Sequence, residues 1–291
     1  MMRLFAATPW WILPFLVVTI LGSMFLQGMR WWMLLKAFIP RISFWKVMKS
    51  HFTGLFYSII LPTSAAGDFV RAILISQENS YSVSWGSTWV SRILGILALG
   101  ILSIFGLLFL DRNSLPPGFS VSVISLFFLL AILIFLSFSK KVTRHFRSLV
   151  NRLFPAKLSL IVENIRQGIY VYRQKKRALI SVLLFTIFIQ LVIVGITSVL
   201  IAGITGKFLF FECLAYIPLI EMLTMSIPLT PNGLGIREML LKFMFNYVGL
   251  SNEQVGVYIL LGFIAISLKL VGGIPTILDL WRNRPSNAMR T

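Results

Sequence analysis

Long, uninterrupted apolar runs are the feature that most limits how this chain can fold. Runs of about 20 apolar residues form α-helices that cross the hydrocarbon core of a bilayer. Spans of a β-barrel would instead alternate between apolar and polar residues, and these runs do not. We therefore predict an all-α, polytopic integral membrane protein with about five full spans, at residues 10–27, 85–110, 119–138, 178–204 and 255–280.

The distribution of charge supports this interpretation. Only 12% of the residues are charged, against about 25% in soluble domains, yet the net charge is +18. Most Lys and Arg residues fall in loops beside the apolar runs, which is the pattern of cytoplasmic loops and favours anionic lipids. These loops carry no aromatic stacking motif, so nucleic acid is not expected as a partner.

Two further apolar runs are broken by helix-breaking and charged residues. The first break is LPTSAAGDFVR, beginning at Leu61, and the second is IPLTPNGLGIRE, beginning at Ile227. A charged side chain within a bilayer costs about 2.5–3.5 kcal/mol on insertion scales, so charges persist there where they pair or function. We predict that the chain turns at Pro62, Gly67, Pro228, Pro231, Gly233 and Gly235.

Half-length helices around each break predict two re-entrant helical hairpins, near residues 50–83 and 208–248. With five full spans, the N-terminus then lies outside and the C-terminus in the cytoplasm. The predicted inside loops hold 19 Lys and Arg residues and the outside segments hold 3, which agrees with the positive-inside rule. We expect a prokaryotic cell (inner) membrane.

The two hairpins then enter from opposite sides, in halves at residues 1–138 and 178–291. Broken helices in oppositely oriented halves indicate an inverted-repeat transporter with a site near the midplane. Residues 139–177 form a basic cytoplasmic connector. Part of the connector has apolar residues at helical spacing, which favours an amphipathic helix at the membrane surface. The alternative is a solvated linker.

Asp68 and Arg71 are the first candidate site residues. Asp68 can cap the helix that follows Gly67, and Arg71 lies three residues on, on the same helical face. The pair either holds the hairpin together, or Arg71 meets a phosphate while Asp68 orients it or binds an amine. Glu238 either complements the dipole of its helix or binds an amine or a proton. Arg237 and Lys242 are assigned to the membrane interface.

Three more charged residues lie within predicted spans and must face protein or water: Arg92, Glu221 and Lys269. We assign Arg30, Arg71, Arg92 and Lys269 to phosphate binding, and Asp68, Glu221 and Glu238 to an amine or a proton. His51 is interpreted as a packing or hydrogen-bonding residue near the interface. The sequence contains no nucleotide, hydrolase or metal-binding motif, so neither cofactor nor metal is expected, and Cys213 is its only cysteine.

Four segments together resemble one family. Arg30-Trp31 followed by Leu34-Leu35 resembles an RW-x-x-L-L signature, and Leu61-Pro62 with Gly67-Asp68-x-x-Arg71 is similar to an LP…GD-x-x-R motif. Ser91-Arg92 resembles an E-R segment with Ser in place of the acid. The second break resembles a P-x-x-P-x-G-x-G-x-x-E motif. The family is the lysylphosphatidylglycerol synthase transmembrane region, or flippase-like domain, which is the membrane half of the multiple peptide resistance factor.

The resemblance implies translocation of a phospholipid or lipid-linked head group, aminoacyl or polyprenyl-phosphate, between leaflets. It does not imply the synthase activity, because the longest polar segment here has about 39 residues, fewer than a usual domain. We therefore expect a transporter and not an enzyme, with membrane lipids as partners. There are two alternative functions: an anchor for a separate synthase, and an intramembrane enzyme acting on lipid phosphate. Candidate protein partners are a separate synthase or further copies of this chain in a homo-oligomer.

Overall fold

A computed structural model describes residues 8–61, 65–77, 81–110, 118–137, 174–226 and 233–274, together with Phe5, Tyr170 and Tyr172. These residues form α-helices, one 3₁₀ helix and turns, and no β-strand lies among them. The protein is an all-α membrane protein, as predicted. The predicted breaks at Pro62, Pro228 and Pro231, most of the connector and residues 275–291 lie outside the described residues.

The helices follow one another in the order α1 (Ile12–Lys36), α2 (Phe44–Ile60), α3 (Ala66–Ser76), α4 (Tyr81–Leu107), α5 (Phe119–Ser137), α6 (Lys176–Thr205), α7 (Phe210–Ser226), α8 (Ile236–Tyr247) and α9 (Asn252–Ser267), which continues as a 3₁₀ helix (Leu268–Gly272). Four of them are long and apolar enough to cross a membrane: α1, α4, α6 and α9 with its 3₁₀ extension. Helix α5 is a fifth apolar helix, so the total of five spans stays a prediction.

The predicted boundaries of the first two helices were wrong. Helix α1 continues past Gln27 because Trp31, Leu34 and Leu35 prolong its apolar face and are fully buried. Arg30 is therefore a buried helical residue and not part of a basic loop. Helix α2 begins at Phe44, before the hairpin that was predicted near residues 50–83, so Lys46 and Lys49 are helical as well.

Helices α2 and α3 pack as an antiparallel hairpin, called hairpin A here (residues 44–76). A Cβ added to Gly54 would lie 2.7 Å from Gly67 O and 3.3 Å from Arg71 Cβ. Small residues allow this close backbone approach between helices. Gly67 therefore lies within α3 and allows it to pack closely on α2. The prediction that Gly67 forms the turn was wrong. Asp68 does not cap α3 either, because the helix begins at Ala66 and its N-cap residue is Ala65.

Helices α7 and α8 form a second antiparallel hairpin, called hairpin B (residues 210–247). Thr224 lies against Gly233 next to the turn, and the rings of Tyr216 and Phe245 are 6.0 Å apart farther along the arms. Gly233 and Gly235 have φ angles of +75° and +89°. Glycine adopts such angles without steric cost, so these two residues turn the chain as predicted.

The two hairpins open toward opposite ends of α4. At the beginning of α4, Ser87 accepts a hydrogen bond from Trp31 Nε1 (3.1 Å), and Trp31 packs in one buried cluster with Ile75 at the open end of hairpin A. Past the other end of α4, the ring of Phe109 stacks on Phe211 of hairpin B at 4.9 Å. The turns of both hairpins therefore point toward the middle of α4.

Tyr172 anchors the end of the connector to the helix bundle. Its side chain is fully buried, and its hydroxyl donates a hydrogen bond to Leu34 O at 2.9 Å. Burial raises the pKa of the Tyr172 phenol. The residue also packs with Val90 of α4 and Val182 of α6, so the connector ends on the bundle in an apolar cluster. The division into two halves stays a prediction.

Candidate functional site

A cavity of about 190 Å³ lies where the turns of the two hairpins approach the middle of α4. It is lined from α1, from both hairpins, from α4 and from the 3₁₀ helix after α9. Four of its lining residues are cationic and two are acidic. The charged lining residues are Arg30, Arg71, Arg92, Lys269, Asp68 and Glu221, and the histidine is His51.

Asp68 connects two guanidinium groups at one wall of this cavity. Its Oδ1 lies 2.7 Å from Arg71 Nη2, within α3, and its Oδ2 lies 2.8 Å from Arg92 Nη1 of α4. The side chains of Arg71 and Arg92 are 9% and 11% exposed. Both oxygens of this carboxylate are thus engaged by cations that belong to different helices.

Arg92 also connects the two hairpins. Its Nη2 donates a hydrogen bond of 2.5 Å to Met225 O at the last turn of α7. Carbonyl groups in the last turn of a helix lack helical partners and carry partial negative charge, so they suit a guanidinium. The Arg92 side chain therefore contacts both Asp68 of hairpin A and Met225 of hairpin B.

A second ion pair joins the arms of hairpin B. Arg237 Nη2 lies 3.3 Å from Glu221 Oε1, and the two side chains are 24% and 34% exposed. The prediction that placed Arg237 at the interface was therefore wrong, because its guanidinium turns toward the cavity-lining Glu221. Lys269, on the 3₁₀ helix, also lines the cavity and lies within electrostatic range of Glu221.

His51 and Arg71 share one side of the cavity. His51 Nε2 lies 3.1 Å from Met24 O, and its Nδ1 lies 3.5 Å from Arg71 Nη1. A neutral imidazole satisfies both contacts, since Nε2–H donates to the carbonyl and the Nδ1 lone pair accepts from the guanidinium. Arg71 also lies over the ring of Trp31, 4.9 Å from its centroid. These contacts hold the Arg71 side chain in one orientation.

Two guanidinium groups of the cavity each have an N–H donor without an acceptor among the described residues. Arg30 and Arg71 are 8% and 7% exposed. Within the part of the chain that the structure describes, neither Arg30 Nε nor Arg71 Nε has a hydrogen-bond partner. A buried polar group without a partner is costly, and that cost is removed when a ligand accepts from it. Both donors suit an anionic oxygen.

The structure thus brings together eight of the residues that the sequence singled out: Arg30, Arg71, Arg92, Lys269, Asp68, Glu221, Gly67 and Gly233. Glu238 and Gly235 are not among the residues that line the cavity. The carboxylate of Glu238 instead accepts a hydrogen bond from Gly235 N–H at the start of α8, which agrees with the alternative that it stabilises its own helix.

Sequence reasoning missed three polar residues of the cavity, namely Gln27, Ser58 and Thr224, and did not place His51 there. Gln27 had a signal, because it lies three residues before Arg30 in an apolar helix and therefore on the same face. His51 was expected near the interface, and its hydrogen bonding was anticipated but not its position in the cavity. Among the described residues, no group of three His, Cys, Asp or Glu side chains could hold a metal ion.

A bundle of apolar helices around a buried, charged cavity defines a multi-pass membrane protein with a polar internal site. The family profile of the lysylphosphatidylglycerol synthase TM region matches residues 1–270, and the chain belongs to this family. It is also similar to a UPF0104 membrane protein of Pyrococcus horikoshii, with 23% identity over 276 residues that cover 87% of this chain and 82% of the relative. No solved structure matches the chain.

Proposed function

We propose that this protein is a flippase-like transporter that moves a lipid head group between the leaflets of a prokaryotic cell membrane. The observation that carries the proposal is the cavity at the turns of two oppositely directed hairpins, with four cationic and two acidic side chains on its wall. Charges at such a position within an apolar bundle are costly and therefore mark a pathway or a site.

Arm length supports the assignment of both hairpins as re-entrant. Helix α3 has 11 residues and α8 has 12. At 1.5 Å per residue these arms are about 17 and 18 Å long, well short of the roughly 30 Å hydrocarbon core. The partner arms α2 and α7 have 17 residues each and are about 26 Å long, so it is the shorter arm of each hairpin that argues for a turn within the bilayer. Irregular backbone is tolerated at that depth where protein or a water-filled cavity surrounds it.

In this mechanism the head group enters the cavity while the acyl chains remain in the lipid beside the helices. Arg71, Arg92 and Lys269 balance the phosphate charge. Arg92 contacts both hairpins, so a phosphate that competes for its guanidinium weakens the contact with Asp68 or with Met225 and permits one hairpin to move against the other. Alternating exposure in inverted-repeat transporters follows from such movement of one half against the other.

The energy source follows from what the sequence contains. It has no nucleotide-binding motif, so an ion gradient or an asymmetric lipid distribution drives net movement in this proposal. The absence of catalytic activity and the N-terminus outside the cell stay predictions, and association with a separate synthase stays an alternative. The similarity to a synthase transmembrane region agrees with a role in lipid metabolism.

A flip assay tests the proposal. The purified protein is reconstituted into liposomes that contain a fluorescent phospholipid, and dithionite quenching reports the probe that reaches the outer leaflet. We expect protein-dependent flipping that falls about tenfold or more in Arg71→Ala and Asp68→Ala, since each removes a charged contact of the cavity. Lys36→Gln is the control, because Lys36 is exposed at the end of α1.

Two results would contradict the proposal at different levels. Wild-type rates in both cavity variants would remove the site assignment. No protein-dependent flipping of anionic, zwitterionic or cationic phospholipids, and none of a polyprenyl-phosphate probe, would remove the transport function itself.

A further inference from the structure

We propose that the cavity selects head groups whose ionised group is a phosphate and rejects head groups that carry an additional amine. The substrate class is then a net-anionic lipid phosphate and not an aminoacylated, cationic lipid. For transport this inference rests on the proposed function, but the preference itself is a property of binding and can be measured without transport.

The first argument is that the carboxylates of the cavity are already paired. Both oxygens of Asp68 contact guanidinium groups, at 2.7 Å from Arg71 and 2.8 Å from Arg92. Glu221 pairs with Arg237 at 3.3 Å. Guanidinium groups already balance the charge of both carboxylates, so an incoming ammonium group would gain little from them and would add a further cation beside Arg71 and Arg92.

The second argument is that hydrogen-bond donors are left over. Arg30 Nε and Arg71 Nε have no hydrogen-bond partner within the described residues, and both side chains are more than nine-tenths buried. A guanidinium group presents its N–H donors in a planar fork that matches the oxygens of a phosphate. A phosphate oxygen that reaches either donor would satisfy it, whereas an ammonium group would satisfy neither.

The third argument is the balance of charge around the cavity. Its wall carries four cationic residues and two carboxylates, and His51 contributes a neutral ring in the hydrogen-bonding arrangement described above. The wall therefore has an excess of two positive charges before a ligand binds. Such an excess attracts an anion and repels a cation, and the effect is stronger in a concave site among apolar helices than at an open surface.

The fourth argument is size. A volume of about 190 Å³ is below the 300–1,000 Å³ of ordinary small-molecule pockets. That favours a compact phosphate group over a bulkier head group.

Binding of short-chain lipids tests the inference. Four probes with identical hexanoyl chains are titrated into the detergent-solubilised full chain: phosphatidic acid, phosphatidylglycerol, phosphatidylcholine and lysyl-phosphatidylglycerol. Intrinsic tryptophan fluorescence is the readout, because the cavity-lining Arg71 lies over the ring of the buried Trp31. We expect phosphatidic acid to bind most tightly and the lysyl lipid to bind at least about tenfold more weakly than phosphatidylglycerol. Equal or tighter binding of the lysyl lipid would overturn the inference.

Arg30→Gln and Lys36→Gln form a matched pair, since each removes one positive charge from α1. Arg30→Gln is expected to weaken phosphatidic acid binding about tenfold or more, because it removes the buried donor, and Lys36→Gln to leave it unchanged. If Arg30→Gln does not fold, Arg30→Lys keeps the charge, loses the planar fork and is expected to weaken binding by a smaller factor. Equal effects of the changes at Arg30 and Lys36 would indicate general surface charge and overturn the inference.

Inorganic pyrophosphate distinguishes the source of the phosphate. Competition between pyrophosphate and the lipid probes would indicate that the cavity accepts free phosphates, and lack of competition would indicate that it requires a lipid. Both outcomes support a site for anionic phosphate when the lipids rank as expected.

The flip assay separates this inference from the proposed function. Phosphatidic acid binding without flipping contradicts transport alone, and flipping of the lysyl lipid in preference to phosphatidylglycerol contradicts the anionic preference alone.

Discussion

Asp68 Oδ2 and Arg92 Nη1 are 2.8 Å apart although the two residues are separated by 24 positions in the chain. The same guanidinium reaches Met225 O, 133 positions farther on, from its other terminal nitrogen. One arginine on α4 therefore fixes the turn regions of both hairpins relative to each other. The first prediction concerns what happens when this contact is broken.

Asp68→Asn should lower the free energy of unfolding by roughly 2–4 kcal/mol, because it leaves Arg71 and Arg92 without their counter-charge in a largely buried setting. The measurement is unfolding of the protein in mixed micelles with increasing SDS. A double-mutant cycle with Arg92→Gln should give a coupling energy of about 1–3 kcal/mol. Lys242→Gln, at an exposed charged side chain of α8, is the control. Strictly additive losses would show that Asp68 and Arg92 do not stabilise each other.

Gly67→Ala should destabilise hairpin A by about 1–3 kcal/mol, because the new methyl group would overlap Gly54 O and would lie 3.0 Å from Ser58 Cβ. Gly22→Ala in α1 is the matched control, since an added Cβ there meets nothing within 4 Å. In that exposed helical position alanine should be neutral or stabilising by up to about 1 kcal/mol. Equal unfolding midpoints for the two variants would contradict the close packing of α2 on α3.

Tyr172→Phe should cost about 1 kcal/mol, because it removes the buried hydrogen bond to Leu34 O while the ring and its packing remain. Proteolysis of the basic connector should become faster, since Tyr172 holds its end on the bundle. Tyr247→Phe, at a side chain that is 46% exposed, should leave both measurements unchanged. A Tyr172→Phe variant with the parent's stability and cleavage rate would show that this hydrogen bond is dispensable.

The opposed hairpins can be tested by cysteine labelling in intact cells. The single Cys213 is buried and is first replaced by Ser. Cysteines are then placed one at a time at exposed positions beside the open ends of the hairpins: Ser43 and Gln77 for hairpin A, and Lys207 and Ser251 for hairpin B. With re-entrant hairpins, a membrane-impermeant maleimide should label the second pair from outside and leave the first pair unlabelled.

The result that would contradict this topology is equally clear. If both hairpins entered from the same side, all four positions would react alike with the impermeant maleimide. Permeabilised cells provide the control, because all four positions should then be labelled.

Much of the fold was determined by the sequence alone, because the length and apolarity of a segment decide locally whether it forms a membrane helix. The predicted span at 178–204 lies within α6, and the broken segment near 208–248 holds the two helices α7 and α8. The bounds of α1 and α2 were missed because Arg30, Lys46 and Lys49 made helical segments resemble a loop. Hydropathy does not indicate that a charged residue on a helix is buried by a neighbouring helix.

The composition of the cavity was decided only by tertiary structure. The sequence identified Asp68, Arg92 and Glu221 as charges that need partners, but not which partners, because hydropathy carries no information about contacts across 24 or 133 positions. Packing of α2 on α1 and α3 brought His51 into the site, and a hydrogen bond within its own helix turned Glu238 to the start of α8. Local composition thus determined where polar groups enter the apolar bundle, and helix packing determined which of them meet.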